Sequence, residues 1–590
     1  MISLEPSGKL KSPRHHKTTS RMPAGLPSLA ALLLATALTF SSTFHFGWVY
    51  DDPPQIPQNP NLLWSRLGFL FTHQLWASTA AAQSRFYRPF LTLWFLVNKT
   101  IFGLNPHWFH ATTVLAHLTA VTLAFFIARS FLAETDSALF AAAIFALHPL
   151  QVESASWISA VNDPLAAAFC FASFLLYRKA IRRSTAGKFR RGLGWALSAA
   201  VFLCALFTKE ISLVLPAIIL VDLSTIPRRE RSENATASLP PELCFFGIAA
   251  IFWLVLRSRA LGGTVTVSAP VSWTTVLLTS PKVFLFSLYR IVLPAGLSPQ
   301  YDLRIIDSAF TLQFFLCALP VLALIYVSIL SAKRNPRLFV AYAWLLLPAL
   351  PTLNLRWMNQ NDFIHDRYTY MSMLGVALLA GWAYRWIRTQ WPSQQLVRPL
   401  ALALIVIVAF ASAIQSQYWS SDVALFARAV SRAPDNEWAQ LNYGSALSAR
   451  GKFAEAAPHF VRSYELQPGW RAADFAAFAY QQAGDLSQAE GWFNRALQQD
   501  PSSAPAWFGL GQVELSRRRP QEAIPCLKKA IALDPTAPGF HYELGAALEQ
   551  AARQAEAAEE YRAEWRLFPG QVGARHALDR LGSASNDPAK

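Results

Sequence analysis

The chain has 590 residues, of which 53% are hydrophobic and 15% charged, with a formal net charge of +16. It is too long for one ordinary core, and a soluble globular chain carries about 25% charged residues, so a single water-soluble domain is excluded. Nucleic acid is excluded as a partner too, because the basic residues lie in short segments between apolar runs, such as Arg178 to Arg191, as cytoplasmic loops do.

Residues 1–22 form a basic leader with Lys9, Lys11, Arg14, Lys17 and Arg21, which keeps this end cytoplasmic. It lacks the small-x-small cleavage site of a signal peptide. Residues 23–418 are a series of apolar runs, each near the roughly 20 residues needed to cross a bilayer. Spans are predicted at 23–44, 107–131, 136–155, 162–181, 192–207, 210–225, 241–260, 311–331, 337–354, 367–387 and 398–417. That makes about eleven, and 192–225 could instead be one bent helix joined at Thr208-Lys209-Glu210. The segments Arg178 to Arg191, Pro227 to Arg231, Ala332 to Arg337 and Arg385 to Arg398 then share the leader's side. An odd number of spans places the C-terminus on the other side. The two long external loops, 45–106 and 261–310, hold amphipathic pieces at Asn61 to Leu75, Pro89 to Phe102 and Pro281 to Leu293. These suit the plane of the interface.

From residue 419 the period changes. Pro434, Pro468, Pro501, Pro535 and Pro569 recur at about 34 residues, the tetratricopeptide spacing. Small and bulky positions recur with them: Gly444, Ala456 and Phe460; Ala489, Phe493 and Ala496; Trp507, Leu510, Gly511, Ala523 and Ala530; Leu544, Gly545, Ala557 and Tyr561. Residues 419–434 read as one more second helix bridging the membrane to the array, and 583–590 as a tail. The predicted fold is all-α, a polytopic transmembrane helical module followed by a tetratricopeptide-repeat α-solenoid over 419–582. Such arrays present a groove that binds peptides or proteins. The five cysteines include no CxxC, so neither a zinc site nor a disulfide framework is indicated.

Polar groups near spans are costly and therefore informative. Asp51 and Asp52 surface just after the first apolar run, and Pro53-Pro54 bars them from a helix interior. Arg88 precedes an interfacial helix. His110 and His117 share one helix face, where a histidine can also be a satisfied packing residue. His148-Pro149 breaks the third span ahead of Glu153. Asp163-Pro164 opens the next span, where Asp163 can serve as a cap. Lys209 and Glu210 lie between two apolar runs and can neutralise each other. His365, Asp366 and Arg367 precede the tenth span. In the predicted topology all of these face one side, which points to a single external cavity of carboxylates, imidazoles and guanidinium groups.

A lipid-phosphate sugar donor presents its reactive carbon at the membrane surface. An acceptor hydroxyl needs a carboxylate base, and a departing phosphate needs cations. A divalent metal between Asp51, Asp52 and the phosphate is an option that the sequence does not demand.

The pieces YDDPPQIPQNP (Tyr50 to Pro60), YRPFLTLWFLVNKTIFGLNPHWFH (Tyr87 to His110), HPLQVES (His148 to Ser154), KEISLVLPAIILVD (Lys209 to Asp222) and DRYTYMSMLG (Asp366 to Gly375), with the trailing repeats, resemble one family. It is the membrane-and-tetratricopeptide-repeat protein O-mannosyltransferases of the C-type glycosyltransferase class, with their bacterial relatives. The resemblance implies sugar transfer from a polyprenyl-phosphate donor with inversion, and a base in the first external loop, Asp51 or Asp52 here. Arg88, His148, Glu153, Asp163, Lys209 and Arg367 match motif positions. Relatives carry a basic residue two before the aspartate of the fourth span, whereas this chain has Val161.

The expected function is transfer of mannose or another hexose to protein hydroxyls on the external face. The expected partners are membrane lipid, the polyprenyl-phosphate sugar, and a protein or peptide held at the repeats. Modification of a lipid or envelope glycan, and a non-enzymatic membrane-anchored repeat scaffold, are the alternatives. Localisation is expected to be multi-pass, in a bacterial inner membrane with the repeats periplasmic or outside.

Overall fold

A computed structural model describes residues 25–77, 86–182, 188–226, 241–262, 271–308, 311–358, 362–391 and 394–582. The leader, the tail and the basic segment Pro227 to Arg231 lie outside them. The described residues form helices and no strand, so the all-α reading holds. Six described helices are long and apolar enough to cross a membrane, or seven if the pair Thr135–Leu147 and Pro149–Ser156, bent by 51°, is one span. Three more apolar helices, Leu26–Thr39, Pro89–Phe102 and Gly192–Thr208, are shorter. The predicted count of about eleven rested on run length alone, and the runs prove to be interrupted.

The interruptions have local causes. The run 136–155 breaks at His148, whose ψ of 134° leaves the helix before Pro149, as the residue preceding a proline does. The run 192–225 becomes a helix, Lys188–Thr208, then a 3-10 turn, Glu210–Val214, then Leu215–Thr225 with a proline in its first turn. The predicted span 367–387 opens as a 3-10 turn, Asp366–Thr369, and turns α-helical only at Met373–Gln390.

The external loops also differ from expectation in one respect. Pro89–Phe102 is the helix predicted, but the piece near Pro281 belongs to a longer one, Trp273–Val292, which is long and apolar enough to cross. Both its ends are tied to one neighbouring segment. The Arg356 guanidinium lies 4.6 Å from the Trp273 ring centre, and Arg290 pairs with Asp366. The helix therefore runs alongside residues 353–358 and 362–366 rather than away from them.

One core unites the bundle, from Leu29 through Val121, Phe145, Phe171, Trp195, Phe202 and Trp344 to Leu378. Gly375 lets the helices Pro336–Leu346 and Met373–Gln390 touch, since a Cβ there would lie 2.3 Å from the Leu345 nitrogen. The outer helices show apolar side chains to their surroundings: Leu312 is 73% exposed and Phe410 68%. That is the surface of a lipid-facing helix rather than a hydrated one. Basic groups gather at one end. Arg388 and Arg398 meet Asp136, while Arg337 and Arg385 donate to the last carbonyls of Pro106–Leu132. The predicted site residues gather at the opposite end.

At that opposite end the chain passes through a 3-10 turn, Gln417–Ser420, into the helix Asp422–Arg432 predicted as the bridge. Four helix pairs follow, from Glu437–Ser448 with Phe453–Leu466 to Phe540–Gln550 with Gln554–Leu567, and then Val572–Arg580. The recurring small residues make room for the recurring bulky ones. A Cβ on Gly444 would stand 2.8 Å from Phe460, one on Gly511 2.5 Å from Leu527, and one on Gly545 2.7 Å from Tyr561.

Candidate functional site

The loop after the first helix holds the two aspartates, and the structure gives them different tasks. Asp52 opens a one-turn helix, Asp52–Gln55, so the prolines exclude a helix interior but not a helix start. Its carboxylate is fully buried and accepts three hydrogen bonds: from the Val49 amide at 3.0 Å, the Ser159 amide at 2.9 Å and the Ser159 hydroxyl at 2.6 Å. Asp51 is half-buried and turns its side chain into a cavity of about 500 Å³. Burial pushes the Asp51 carboxyl up to about 6, with Arg367 opposing. Burial pushes Asp52 up to about 7 against the pull of its hydrogen bonds.

Arg88, Lys209, Glu210 and Arg367 line the same cavity, as does Arg257. Its apolar wall is made by Phe86, Leu91, Leu254 and Leu261. Arg88, Lys209 and Arg367 are held by carboxylates from other elements. Arg88 donates to Glu210 through Nε at 3.1 Å and a terminal nitrogen at 2.9 Å. Lys209 bonds Asp163, and Arg367 bonds Glu153, which also accepts the Arg367 amide at 3.1 Å. Beside them Asp366 takes Arg290 and the Tyr301 hydroxyl, the latter at 2.8 Å. His365 meets the Pro299 carbonyl at 3.0 Å and lies 3.6 Å from Asp362. Burial pushes Asp362 up to about 7, with Arg367 opposing and Asp51 and Glu153 adding to the rise.

The site residues predicted from sequence thus divide. Asp51, Arg88, Lys209, Glu210 and Arg367 share the cavity. Asp163, Glu153 and Asp366 hold its cations or the network beside it, with His365 adjoining. Three of the expected cavity groups serve the backbone instead. His110 meets the Gly47 carbonyl at 3.2 Å. His148 bonds the Ile291 carbonyl at 3.0 Å and accepts the Leu150 amide. Asp52 is the third. His117, bonded to Tyr370 and the Ala146 carbonyl, is a satisfied packing residue. A metal between Asp51 and Asp52 does not fit, because Asp52 is committed to Ser159 and Val49. Among the described residues no group of three or more His, Cys, Asp and Glu is placed to hold one.

Sequence reading missed Arg257, Arg290, Tyr301 and Tyr368. Arg257 stands in the last turn of the helix just before, and Arg290 in the last turn of the helix within, the segment 261–310 that the sequence reading makes an external loop, and that position was the available signal. Val161, where the resemblance led to the expectation of a cation, is fully buried in one apolar cluster with Ile56, Leu91, Phe95 and Phe109. Its neighbours Ala160 and Asn162 line the cavity, so the departure fills a packing position.

An apolar helical bundle with a charged cavity at one end, capped there by a helical repeat array, defines an integral membrane protein with a repeat domain. Comparison with known proteins takes this further. A family model of the tetratricopeptide repeat matches residues 476–538 and 508–572. The protein O-mannosyl-transferase TMTC1 of Homo sapiens is 23% identical over 513 residues, covering 78% of this chain and 57% of its own. The protein O-mannosyl-transferase TMTC4 of Mus musculus is 24% identical over 500 residues, covering 74% of this chain and 67% of its own. A solved tetratricopeptide-repeat structure, YrrB, described as having an unusual peptide-binding site, aligns with 33% of this chain and 98% of its own at a TM-score of 0.25 and 14% identity. Over about three quarters of its length the chain is therefore similar to curated protein O-mannosyl-transferases, in line with its motifs. It spans 57% of the human relative's length and 64% of that of a Caenorhabditis elegans relative.

Proposed function

We propose that the chain is a membrane glycosyltransferase that moves a hexose, with mannose the first candidate, from a polyprenyl-phosphate donor to hydroxyl groups of a protein. One observation carries this reading: the Asp51 carboxylate shares a cavity with Arg88, Lys209, Arg257 and Arg367 and an apolar wall, while the cavity's other carboxylate, Glu210, is taken up by Arg88. The wall takes the first isoprene units, and the cations face the phosphate. The acceptor O–H gives its proton to Asp51 as its oxygen attacks the anomeric carbon from the side opposite the phosphate. The bond from that carbon to the phosphate oxygen breaks, the configuration inverts, and the lipid phosphate leaves with the electron pair. Its growing charge meets preorganised guanidinium and ammonium groups, donors of the kind that stabilise a developing charge.

The basic end of the bundle is the cytoplasmic one in this reading, and the cavity and repeats lie on the other face, the periplasm of a bacterial inner membrane. The repeats hold the protein acceptor. The test is transfer of labelled mannose from a polyprenyl-phosphate donor to membrane or secreted protein, by the intact chain and by the Asp51→Asn variant. Transfer to lipid or glycan alone would favour the envelope reading. Full transfer by the variant would remove the base.

A further inference from the structure

We infer that the repeat array is part of the catalytic apparatus: Asp422, at the start of its first helix, holds the backbone turn that aims Asp51 into the cavity. The inference rests on the proposed function for its catalytic consequence, and on geometry alone for the clamp itself.

Tyr50 adopts φ 59°, one of four non-glycine residues with positive φ among the described residues. Bulky side chains resist that conformation and keep it only where surroundings impose it. Here the surroundings come from two sides. From the membrane domain, the Trp157 indole nitrogen donates to the Val49 carbonyl at 3.2 Å, and Asp52 is anchored to Ser159. From the repeat side, the Asp422 carboxylate accepts the Tyr50 amide at 2.7 Å. That carboxylate is not the cap of its own helix, because the Ser421 hydroxyl accepts the Ala424 amide and performs that task.

Aromatic packing closes the clamp. The Tyr50 ring lies 5.3 Å from Trp157 and 5.3 Å, edge-on, from Phe426, and Trp157 stacks on Trp419 at 5.4 Å. Trp419 and Phe426 belong to the bridge into the array, and Trp157 also carries the Arg367 guanidinium 4.9 Å from its ring centre. Asp51 is the next residue along. A turn held in a disfavoured conformation by a contact 372 positions away orients its neighbour only while that contact exists. Asp422 is thus a positioning residue, acting through Tyr50.

The experiment uses the full chain in membranes or nanodiscs, with Asp422→Ala, Asp422→Asn and a control in the array, Asp435→Ala. Two quantities are read: turnover with the donor KM, and hydrogen exchange of the residue-50 amide. Loss of positioning costs on the order of 100-fold, so Asp422→Ala is expected to lower kcat by tenfold to a hundredfold with the donor KM within about twofold. The residue-50 amide should then exchange faster. Asp422→Asn, whose side-chain oxygen can still accept the amide, should restore most of both, and Asp435→Ala should change neither. If Asp422→Ala does not fold, Phe426→Leu is the second probe, with the same signs expected. Parental kcat in Asp422→Ala, equal losses in both Asp422 variants, or an unchanged residue-50 amide would each overturn the inference. If the parent transfers no sugar at all, the proposed reaction fails, and amide exchange still decides the clamp.

Discussion

Replacing Asp51 by Asn removes the proton acceptor and keeps the shape. Among the described residues the Asp51 side chain makes no hydrogen bond, whereas the neighbouring Asp52 carboxylate accepts three. A general base contributes about 10²–10⁴-fold, or about 3–5.5 kcal/mol of barrier at about 1.36 kcal/mol per decade. Asp51→Asn should therefore lose that much kcat and keep the parental melting temperature, since it also relieves a buried charge. Asp52→Asn should do the reverse. Its amide nitrogen would face a backbone N–H or the Ser159 donors, leaving a buried donor opposed at a cost of about 1–3 kcal/mol. The assay is single-turnover transfer from a polyprenyl-phosphate sugar in membranes, paired with thermal unfolding of both variants in detergent. The reasoning is refuted if Asp51→Asn keeps turnover within about threefold while Asp52→Asn, folded, loses it.

The other predictions follow from the same contacts. Burial raises Asp51 to about 6 and only its ionised form accepts a proton, so kcat/KM should rise with pH through that value and level off above it. A profile flat from about pH 5 to 8 would remove Asp51 as the base. Arg367 opposes that rise, so Arg367→Met should move the inflection to higher pH. The same variant strands Glu153, which is 2% exposed, and should cost about 3–5 kcal/mol of stability. Adding Glu153→Gln should recover part of that loss, which unfolding of the single and double variants would measure. Gly375→Ala would drive a Cβ to 2.3 Å from the Leu345 nitrogen and 2.6 Å from the Ala341 carbonyl, and should cost about 1–3 kcal/mol. Gly68→Ala, with nothing within 4 Å, serves as its control and should leave the melting temperature in place.

How much of this could be read in advance depended on sequence distance. The repeats were legible because each packs against itself. Gly444 and Phe460, or Gly545 and Tyr561, sit in adjoining helices and touch directly, so the small-and-large alternation is written within one period. Helix ends were less legible. Hydropathy runs straight through Pro149 and Pro216, but the backbone cannot follow. Arg257 and Arg290 were passed over because each ends an apolar run and reads as an interfacial anchor. The choice between Asp51 and Asp52 could not be read at all. Two of the three hydrogen bonds that set Asp52 apart from its identical neighbour come from Ser159, which lies 107 positions beyond it, and no local pattern encodes that contact.

The breaks that interrupt the apolar runs are what make the cavity. Glu153 follows the break at Pro149, Asp163 stands in the first turn before Pro164, Lys209 ends the helix before the Glu210–Val214 turn, and Arg367 lies in the 3-10 turn before Met373. A charge in the middle of an apolar span is expensive, and a free backbone group in lipid is also costly. Ending the helices short places both kinds of polar group together, beyond the apolar core, where they satisfy one another. Each ion pair then ties two such ends: Lys209 to Asp163 and Arg367 to Glu153. Arg88, Lys209 and Arg367 are thus brought in with their charge already balanced, because a lone one would lose more in desolvation than the fold could return. The carboxylate left turned to the cavity without a hydrogen bond among the described residues is Asp51, and a group of that kind is able to take up a proton.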